Sequence, residues 1–502
     1  MVDNSWIKSV QSPDGSHQSK AMRRKVIITV ALLVAGALVT VAMNGVGSNA
    51  TQYRSEGILV DFGDYLTLWT DANLSEEDDP VQLLDTVKAK ATDGFEYTMS
   101  DGKLTSVTYS GNTYDSSDAS SWDLWCVSDG EFDAQRAASY DISVSDYTVV
   151  IWAYTTSDGE PMPAVDATAT SIYGYAEPKR IVSLSPVCTE TLNSVGGIQK
   201  VVGTDSYSNY PDYIEQGHKD GKVAIVGTYT DPSYEAIMNV SPDLVLCDAS
   251  TYNDVQIAGI LRSSNVNSVV LYNGEDLDTV IKNIFIVGNS VSYGLGAQAY
   301  IQKYVYAIAQ IQATLSQTGM RTMIALSNDP SPWVSGSHTY ANDVLDQLQA
   351  VNVFAKTPGW FNTTAEKVLD SNPECIIIID SSRYHKDEYD SMLKILSHEW
   401  KSTDAYKNGK IYLLCESLGD LGSRAGPRTV QLMEIVSMIV DPSSHTEKPL
   451  PLAVGDDYLD YLDITKNMGD RDEPQTSDDG GHRRGPHVRG AHGTGLIGSR
   501  YD

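Results

Sequence analysis

The chain has 502 residues, of which 66 are acidic and 36 are basic, so its formal net charge at pH 7 is −30. Such an excess of negative charge repels phosphate backbones, which argues against nucleic acid as a partner. Apolar residues make up 41% of the chain, too many for a disordered chain and too few for a polytopic membrane protein. The length predicts roughly three domains of about 150 residues each.

One segment near the N-terminus is apolar throughout. Residues 26–43 read VIITVALLVAGALVTVAM and carry no charge, and a helix of that length spans about 27 Å, enough for the hydrocarbon core of a bilayer. Three basic residues at 23–25 precede it, so the positive-inside rule leaves residues 1–25 in the cytoplasm. A cleaved signal peptide is the alternative, but the long lead and long apolar run favour a retained single-pass transmembrane anchor at 26–44. The rest of the chain is then extracytoplasmic.

The next part of the chain has the composition of a small β-rich domain. Residues 57–154 are rich in Thr, Tyr, Trp and Val, with Gly and Asp at turn positions. The pair Asp101-Gly102 lies between two strand-like runs and is typical of a β-hairpin. The run VQLLDTVKAK at 81–90 is helical, because its apolar residues recur at helical spacing. Residues 155–178 are predicted to be a linker, because small residues and proline dilute any apolar period.

From residue 180 to residue 440, β-rich runs alternate with amphipathic helical stretches. This alternation predicts an α/β fold with parallel sheets. A long stretch without proline predicts a connecting helix at 291–317 between two lobes at 179–290 and 318–445. After Pro451 the chain turns acidic and then rich in Gly, His and Arg, which predicts a disordered tail over 451–502.

The chain shows no constellation of catalytic or metal-binding residues. It contains no HExxH, GxSxG or Walker A run, its nine histidines are dispersed, and its five cysteines form no CxxC pair. Cys247, Cys375 and Cys415 lie in or beside apolar strand-like runs, which favours buried structural thiols. The sequence therefore predicts neither an enzyme nor a metal site.

An internal repeat connects the two predicted lobes. YTDPSYEAIMNVSPDLVL begins at Tyr229, and WFNTTAEKVLDSNPECII begins at Trp360. In each copy a glutamate follows the aromatic residue by six positions, at Glu235 and Glu366, and a Pro-acid pair begins seven positions later, ahead of an apolar strand. The two copies are 131 residues apart, about one domain length, so the two lobes are predicted to be similar.

Each copy contains the signals of a helix start. Ser233 and Thr364 stand at N-cap positions, where a hydroxyl accepts a hydrogen bond from a free helix N–H. Glu235 and Glu366 then fall in the first turn, where the helix dipole favours negative charge. The two glutamates either only stabilise the helix starts, or they also provide one acidic docking contact per lobe for basic residues of a partner protein.

Tyr229 and Trp360 precede those helices on corresponding loops of the two lobes. Both are either ordinary core aromatics or residues that face each other across a cleft. Flat aromatic rings in such a cleft suit a flat, partly apolar ligand.

Several spaced motifs run in order over about residues 178–440: RIVSLSP from Arg180 with Thr189-Glu190, Val202-Gly203, YSNYP from Tyr207, and the SYEAIMNVSPDLVL run. This set of motifs resembles class III ABC-importer substrate-binding proteins. Within this family the vitamin-B12-binding type is the most similar. The resemblance implies a class III periplasmic-binding-protein-like fold, with two similar α/β lobes joined by one long helix.

The resemblance also implies roles for individual residues. Aromatic residues at the positions of Tyr207, Tyr229 and Trp360 line the corrinoid site of the vitamin-B12-binding type, and glutamates at the positions of Glu235 and Glu366 dock onto permease arginines. Tyr229 departs from that type, which has tryptophan there. The run SRAGPR at 423–428 fits the family's last cleft loop, so Arg424 is a candidate ligand contact, as is Trp333 in the second lobe.

The β-rich part at 57–154 contains Gly94-Phe95-Glu96-Tyr97, Val107, WDLW from Trp122 and the run from Tyr147 to Trp152. With these residues it resembles the small C-terminal domain of transcobalamin-type corrinoid carriers. The usual W-x-Y-x-V-N-G run appears at 122–130, with Trp125, Cys126 and Ser128-Asp129-Gly130 departing from it. A plain spacer or adhesive module is the alternative.

These resemblances together imply an extracytoplasmic solute-binding component of an ABC importer, with cobalamin or a related corrinoid as transported ligand and an ABC permease as partner. A ferric-siderophore or haem binding protein of the same family is the first alternative. A cell-surface adhesion or scaffold protein is the second.

Overall fold

The computed structural model describes residues 54–469, except residues 64, 75–78, 130, 132–133, 157–170, 317–318 and 446–448. The predicted cytoplasmic N-terminus and the anchor at 26–44 lie outside the described residues. Within the described part, no helix combines the length and the apolar character needed to cross a bilayer.

The N-terminal domain is β-rich and carries one helix. Its elements are β1 Gly57–Asp61, β2 Thr67–Asp71, α1 Gln82–Lys90, β3 Glu96–Ser100, β4 Lys103–Tyr109, β5 Asn112–Asp115, β6 Ser120–Ser128, β7 Gln135–Arg136 and β8 Tyr147–Thr156. The strands form a five-stranded sheet in the order β2-β1-β8-β6-β7 and a three-stranded sheet β3-β4-β5. Asp101 and Gly102 join β3 to β4 with φ of 51° and 73°, so the predicted hairpin is confirmed.

Both faces of the central strands β1 and β8 of the five-stranded sheet are buried. Successive residues of a strand point to opposite faces, so each of these strands contributes to two cores. Ile58 and Trp152 belong to the domain's own core with α1, whereas Leu59 and Ile151 belong to a core shared with the first α/β lobe. Tyr65 also packs against Phe285 of that lobe, with ring centroids 5.9 Å apart. The N-terminal domain is therefore joined to the first lobe by shared apolar packing.

Lobe 1 is a five-stranded, fully parallel sheet with helices between the strands, in the order β11-β10-β9-β14-β15. Its elements are β9 Ile181–Ser183, α2 Pro186–Ser194, β10 Val201–Thr204, α3 Asp212–Lys219, β11 Ala224–Ile225, β12 Gly227–Thr228, β13 Asp231–Pro232, α4 Tyr234–Asn239, β14 Leu244–Asp248, α5 Tyr252–Ser263, β15 Asn267–Leu271 and α6 Leu277–Ser290.

One long helix, α7 Gly294–Thr314, leads to lobe 2. It begins three residues later than predicted, because Ser292 has a φ of 64° and separates it from α6. The elements of lobe 2 are β16 Arg321–Ala325, β17 Trp333–Ser335, α8 Tyr340–Gln347, β18 Val351–Asn352, β19 Trp360–Asn362, α9 Ala365–Ser371, β20 Cys375–Asp380, α10 Tyr389–Ile395, α11 His398–Lys401, α12 Asp404–Lys407, β21 Ile411–Cys415, α13 Glu416–Gly422, α14 Thr429–Val440 and β22 Ala453–Val454. Its main sheet has the order β19-β17-β16-β20-β21-β22.

The prediction of a disordered tail is wrong for residues 451–469. Strand β22 extends the lobe 2 sheet beside β21, and the segment 455–469, which we call the strap, buries Tyr458, Leu462 and Met468. The acidic composition of the segment concealed these apolar residues, which are spaced so that they reach the core between charged neighbours. The remainder of the predicted tail lies outside the described residues.

All five cysteines are buried and free. The prediction of buried structural thiols at Cys247, Cys375 and Cys415 is therefore confirmed. Burial raises the pKa of each of these thiols, to about 12 for Cys375 and Cys415, so all three are protonated near neutral pH.

Candidate functional site

Two tyrosines lie at the carboxyl edge of the lobe 1 sheet. Tyr207 lies three residues beyond the end of β10, and Tyr229 lies four residues beyond the end of β11. Both side chains are exposed, and their rings form an edge-to-face pair with centroids 5.6 Å apart. In open parallel sheets, ligands bind outside the carboxyl ends of the strands. The fold therefore brings together two of the predicted ligand contacts at the edge where a ligand is expected.

The loop that carries Tyr207 is held by a buried carboxylate. Asp205 accepts hydrogen bonds from the backbone N–H groups of Tyr207 (2.7 Å) and Ser208 (3.1 Å), and from the Ser208 hydroxyl. That hydroxyl lies 2.8 Å from the hydroxyl of Thr189 in α2. Burial raises the pKa of Asp205, although the hydrogen bonds oppose the shift. The Tyr207 ring is thus supported by a backbone anchored to a helix.

Two tryptophans share one face of the β17–β19 pair in lobe 2. The register places Trp333 opposite Asn362 and Ser335 opposite Trp360, so the two indoles are diagonal neighbours on the same face. Trp333 is 49% exposed, and Trp360 is half-buried. The Trp360 ring also contacts the ring of Tyr340, with centroids 5.9 Å apart. Lobe 2 therefore has an aromatic surface of its own.

A continuous set of contacts joins the aromatic residues of the two lobes. The Tyr340 hydroxyl donates a hydrogen bond to the carbonyl oxygen of Gly422 (2.7 Å). Two residues further along, Nη2 of Arg424 donates to the carbonyl oxygen of Tyr207 (3.4 Å). Trp360 of lobe 2 and Tyr207 of lobe 1 are thereby linked through Tyr340 and the loop of Arg424. We call Tyr207, Tyr229, Trp333 and Trp360 the aromatic border, of which these contacts link Tyr207 to Trp360.

The guanidinium group of Arg424 is engaged by protein groups. Its Nη1 lies 2.8 Å from Oε1 of Glu190 and its Nη2 lies 3.5 Å from Oδ2 of Asp420, and only 10% of the side chain is exposed. Glu190 belongs to α2, so Arg424 joins lobe 2 to lobe 1. Burial opposes ionisation of Glu190, but Arg428 and Arg424 outweigh it and hold the pKa of this carboxyl below its usual value. Direct ligand contact by Arg424 stays a prediction.

The two glutamates of the repeat occupy equivalent places. The hydroxyls of Ser233 and Thr364 each accept a hydrogen bond from the N–H three residues further on, so both predicted N-caps are confirmed. Glu235 and Glu366 follow in the first turns of α4 and α9, and both are exposed. The Glu366 carboxylate accepts hydrogen bonds from the Thr364 hydroxyl and from the backbone N–H of Glu366, and both lower the pKa of this carboxyl. Within the described part of the chain, neither glutamate has an ion-pair partner.

Comparison with known proteins finds a family resemblance in the two-lobed part of the chain. Residues 181–418 match the periplasmic binding protein family. The uncharacterized ABC transporter substrate-binding lipoprotein YvrC of Bacillus subtilis is 25% identical over 292 residues, which cover 57% of this chain and 88% of that protein. A cobalamin-binding protein of Halobacterium salinarum is 22% identical over 253 residues, which cover 50% of this chain and 67% of that protein. A solved periplasmic haem-binding protein of Pseudomonas aeruginosa has 22% identity and a TM-score of 0.46, and the alignment covers 55% of this chain and 95% of that one.

The alternating strands and helices of both lobes confirm the predicted α/β architecture, and the family match agrees with it. The match begins at residue 181, so it does not extend to the β-rich domain. The resemblance of residues 57–154 to transcobalamin-type carriers stays a prediction.

The sequence did not reveal several residues that support the interlobe contacts of Tyr207, Trp360 and Arg424. Glu190 and Arg428 form a buried ion pair, and Tyr340 connects Trp360 to the Arg424 loop. One signal was available, because Glu190 is the only charged residue of α2. A single acid in a neutral, buried helix implies a cationic partner.

A further exposed aromatic residue lies near Tyr229. Tyr252 begins α5 and is 58% exposed, and the side-chain amide of its neighbour Asn253 donates a hydrogen bond to the carbonyl of Thr230 (2.7 Å). This bond ties the start of α5 to the loop of Tyr229. Tyr252 is therefore an additional candidate for the aromatic border, and only its placement in the fold reveals it.

Proposed function

We propose that the protein is the extracytoplasmic solute-binding component of an ABC importer and that it binds a corrinoid between its two lobes. The family match supports the general function, and relatives named as cobalamin-binding and vitamin-B12-binding proteins, at 21–24% identity, support the ligand. The predicted anchor at 26–44, a segment outside the described residues, would keep the protein at the outer face of the cell membrane.

The observation that carries the choice of ligand is the aromatic border. Tyr207 and Tyr229 on lobe 1 and Trp333 and Trp360 on lobe 2 have rings that are at least partly exposed, and contacts through Tyr340 and the Arg424 loop link the two sets. Aromatic rings bury large areas and stack on flat partners. A corrin macrocycle is flat, large and partly apolar, so it matches such a border better than a small polar solute does.

Titration calorimetry of the purified chain tests the proposal directly. Cyanocobalamin and cobinamide are each expected to bind saturably to one site, with a Kd of about 1 μM or tighter, which corresponds to about 8 kcal/mol. Haemin and a ferric siderophore serve as comparison ligands. Heats equal to those of buffer with both corrinoids would refute the corrinoid, and saturable binding of haemin or the siderophore would replace it with that alternative.

The exposed glutamates are proposed to dock onto basic residues of the permease. Reversing both charges, Glu235→Lys with Glu366→Lys, is expected to abolish cobalamin uptake and to leave the Kd for cobalamin unchanged within about two-fold, because rim charges govern partner docking. Uptake by cells and calorimetry of the purified variant measure the two effects.

A charge reversal elsewhere on lobe 1 provides the control. Glu215 is exposed on α3, where it pairs with Lys219, so Glu215→Lys is expected to preserve uptake. If the double variant binds cobalamin much more weakly, or if it transports normally, the docking role of the glutamates is wrong.

A further inference from the structure

A buried cluster of three charges joins the two lobes next to the loop of Tyr207. Glu190 of α2 accepts from Nε and Nη2 of Arg428, at 2.9 and 2.6 Å, and from Nη1 of Arg424 at 2.8 Å. The Glu190 and Arg428 side chains are 2% and 6% exposed. We call these three residues the interlobe latch. Both arginines follow α13 of lobe 2, so every ion pair of the latch crosses between lobes.

The same lobe 2 segment also contacts the loop of Tyr207, independently of Glu190. Arg424 donates to the carbonyl of Tyr207, and the Asn209 amide donates to Oδ2 of Asp420 (2.6 Å). The guanidinium carbon of Arg428 lies 3.8 Å from the ring centroid of Tyr210, in cation–π geometry. Residues 207, 209 and 210 of lobe 1 are therefore each held from lobe 2.

The physics of buried ion pairs favours a geometric role over a stabilising one. The cost of removing three charges from water cancels much of their attraction, so a buried cluster adds little net stability. It is, however, intolerant of displacement, because an unpaired buried charge is costly. A small displacement would therefore leave a buried charge unpaired, whereas full separation of the lobes would let water reach all three charges.

We propose that Glu190 is a positioning residue. Its ion pairs with Arg424 and Arg428 fix the relative position of the two lobes at which the Tyr207 ring contacts the solute. Separation of the lobes would then withdraw the Tyr207 loop and release the solute in the same movement. This inference rests on the proposed solute-binding function. It states that the interlobe latch couples separation of the lobes to release of the solute.

A double-mutant cycle tests the coupling. Glu190→Gln is expected to raise the dissociation rate constant of cobalamin about ten-fold and to change the association rate constant by less than about three-fold, because changes within one interface appear mainly in dissociation. In a Tyr207→Ala background the same substitution is expected to change the dissociation rate less than about two-fold, since its effect passes through Tyr207. Additive effects in the cycle would overturn the proposal, because a purely structural role acts in both backgrounds.

Hydrogen exchange of the solute-free chain gives a readout that does not depend on the ligand. Glu190→Gln is expected to speed amide exchange in residues 205–210 about five-fold or more, with no change in β14, because only local opening is affected. Unchanged exchange in 205–210 would overturn the latch. Faster exchange in a protein that binds no solute would instead preserve the latch and refute the proposed function.

Two further variants keep the test decisive. If Glu190→Gln fails to fold, Arg424→Gln replaces it, because this change leaves Glu190 paired with Arg428 and removes the bond to the Tyr207 carbonyl. The same rate and exchange effects are expected, and their absence would overturn the proposal. Glu215→Gln, which removes an exposed ion pair on α3, is the matched control and is expected to leave both readouts unchanged.

Discussion

A chain with both Tyr207→Ala and Tyr229→Ala is expected to bind cobalamin at least about 100-fold more weakly than the unaltered chain, as measured by titration calorimetry. Covering an aromatic ring contributes about 1.5–3 kcal/mol, so two rings account for 3 kcal/mol or more, and each 1.4 kcal/mol is a factor of ten in Kd. The two rings contact each other edge to face. Single substitutions are therefore expected to be coupled, and the double variant gives the cleaner result.

Phenylalanine at the same two positions separates stacking from metal ligation. Tyr207→Phe with Tyr229→Phe keeps both rings and is expected to retain the affinity for cobalamin. If this variant instead loses its affinity for haemin or a ferric siderophore, a tyrosine phenolate coordinates the iron, as in some haem proteins. Tyr306→Ala removes an exposed tyrosine of α7 and is expected to have no effect. Equal affinities of the double alanine variant and this control would contradict the aromatic site.

Replacing Glu434 with alanine is expected to destabilise the fold by about 3 kcal/mol or more. Glu434 of α14 is 1% exposed and accepts hydrogen bonds from the backbone N–H groups of Asp463, Ile464 and Thr465 in the strap, at 2.8–2.9 Å, and from the Thr465 hydroxyl. Each buried N–H left without an acceptor costs about 1–3 kcal/mol. Urea denaturation followed by tryptophan fluorescence measures the change.

Two variants calibrate this result. Glu434→Gln keeps one oxygen acceptor and is expected to fall between the unaltered chain and the alanine variant. Glu215→Ala removes only an exposed pair with Lys219, which is worth less than about 1 kcal/mol. If Glu434→Ala unfolds at the same urea concentration as Glu215→Ala, the strap does not depend on this carboxylate.

Local features of the fold were predicted where the signal lies within a few residues. The N-caps at Ser233 and Thr364 and the hairpin at Asp101-Gly102 were read from residue types at fixed spacing, and each is confirmed. The strap was missed because composition averages over a segment. The acidic residues of 455–469 conceal a few apolar side chains that reach the core.

Features of the site that depend on distant parts of the chain could not be predicted in this way. Glu190 and Arg428 are 238 residues apart, and no local pattern indicates that folding brings them within hydrogen-bonding distance. Arg424 was predicted to face a ligand from its motif alone, whereas the fold gives its guanidinium a carboxylate partner in the other lobe.

The amino-acid order by itself determined the alternation of strands and helices, the duplicated aromatic–glutamate pattern and the placement of one glutamate at each helix start. These properties follow from periodicity and capping, which act over a single turn or strand. Only the tertiary structure decided which aromatic rings are exposed at one border, how the lobes are joined by buried charges, and where the strap runs. Burial and pairing of charges depend on what surrounds a side chain in space, and those neighbours come from both lobes.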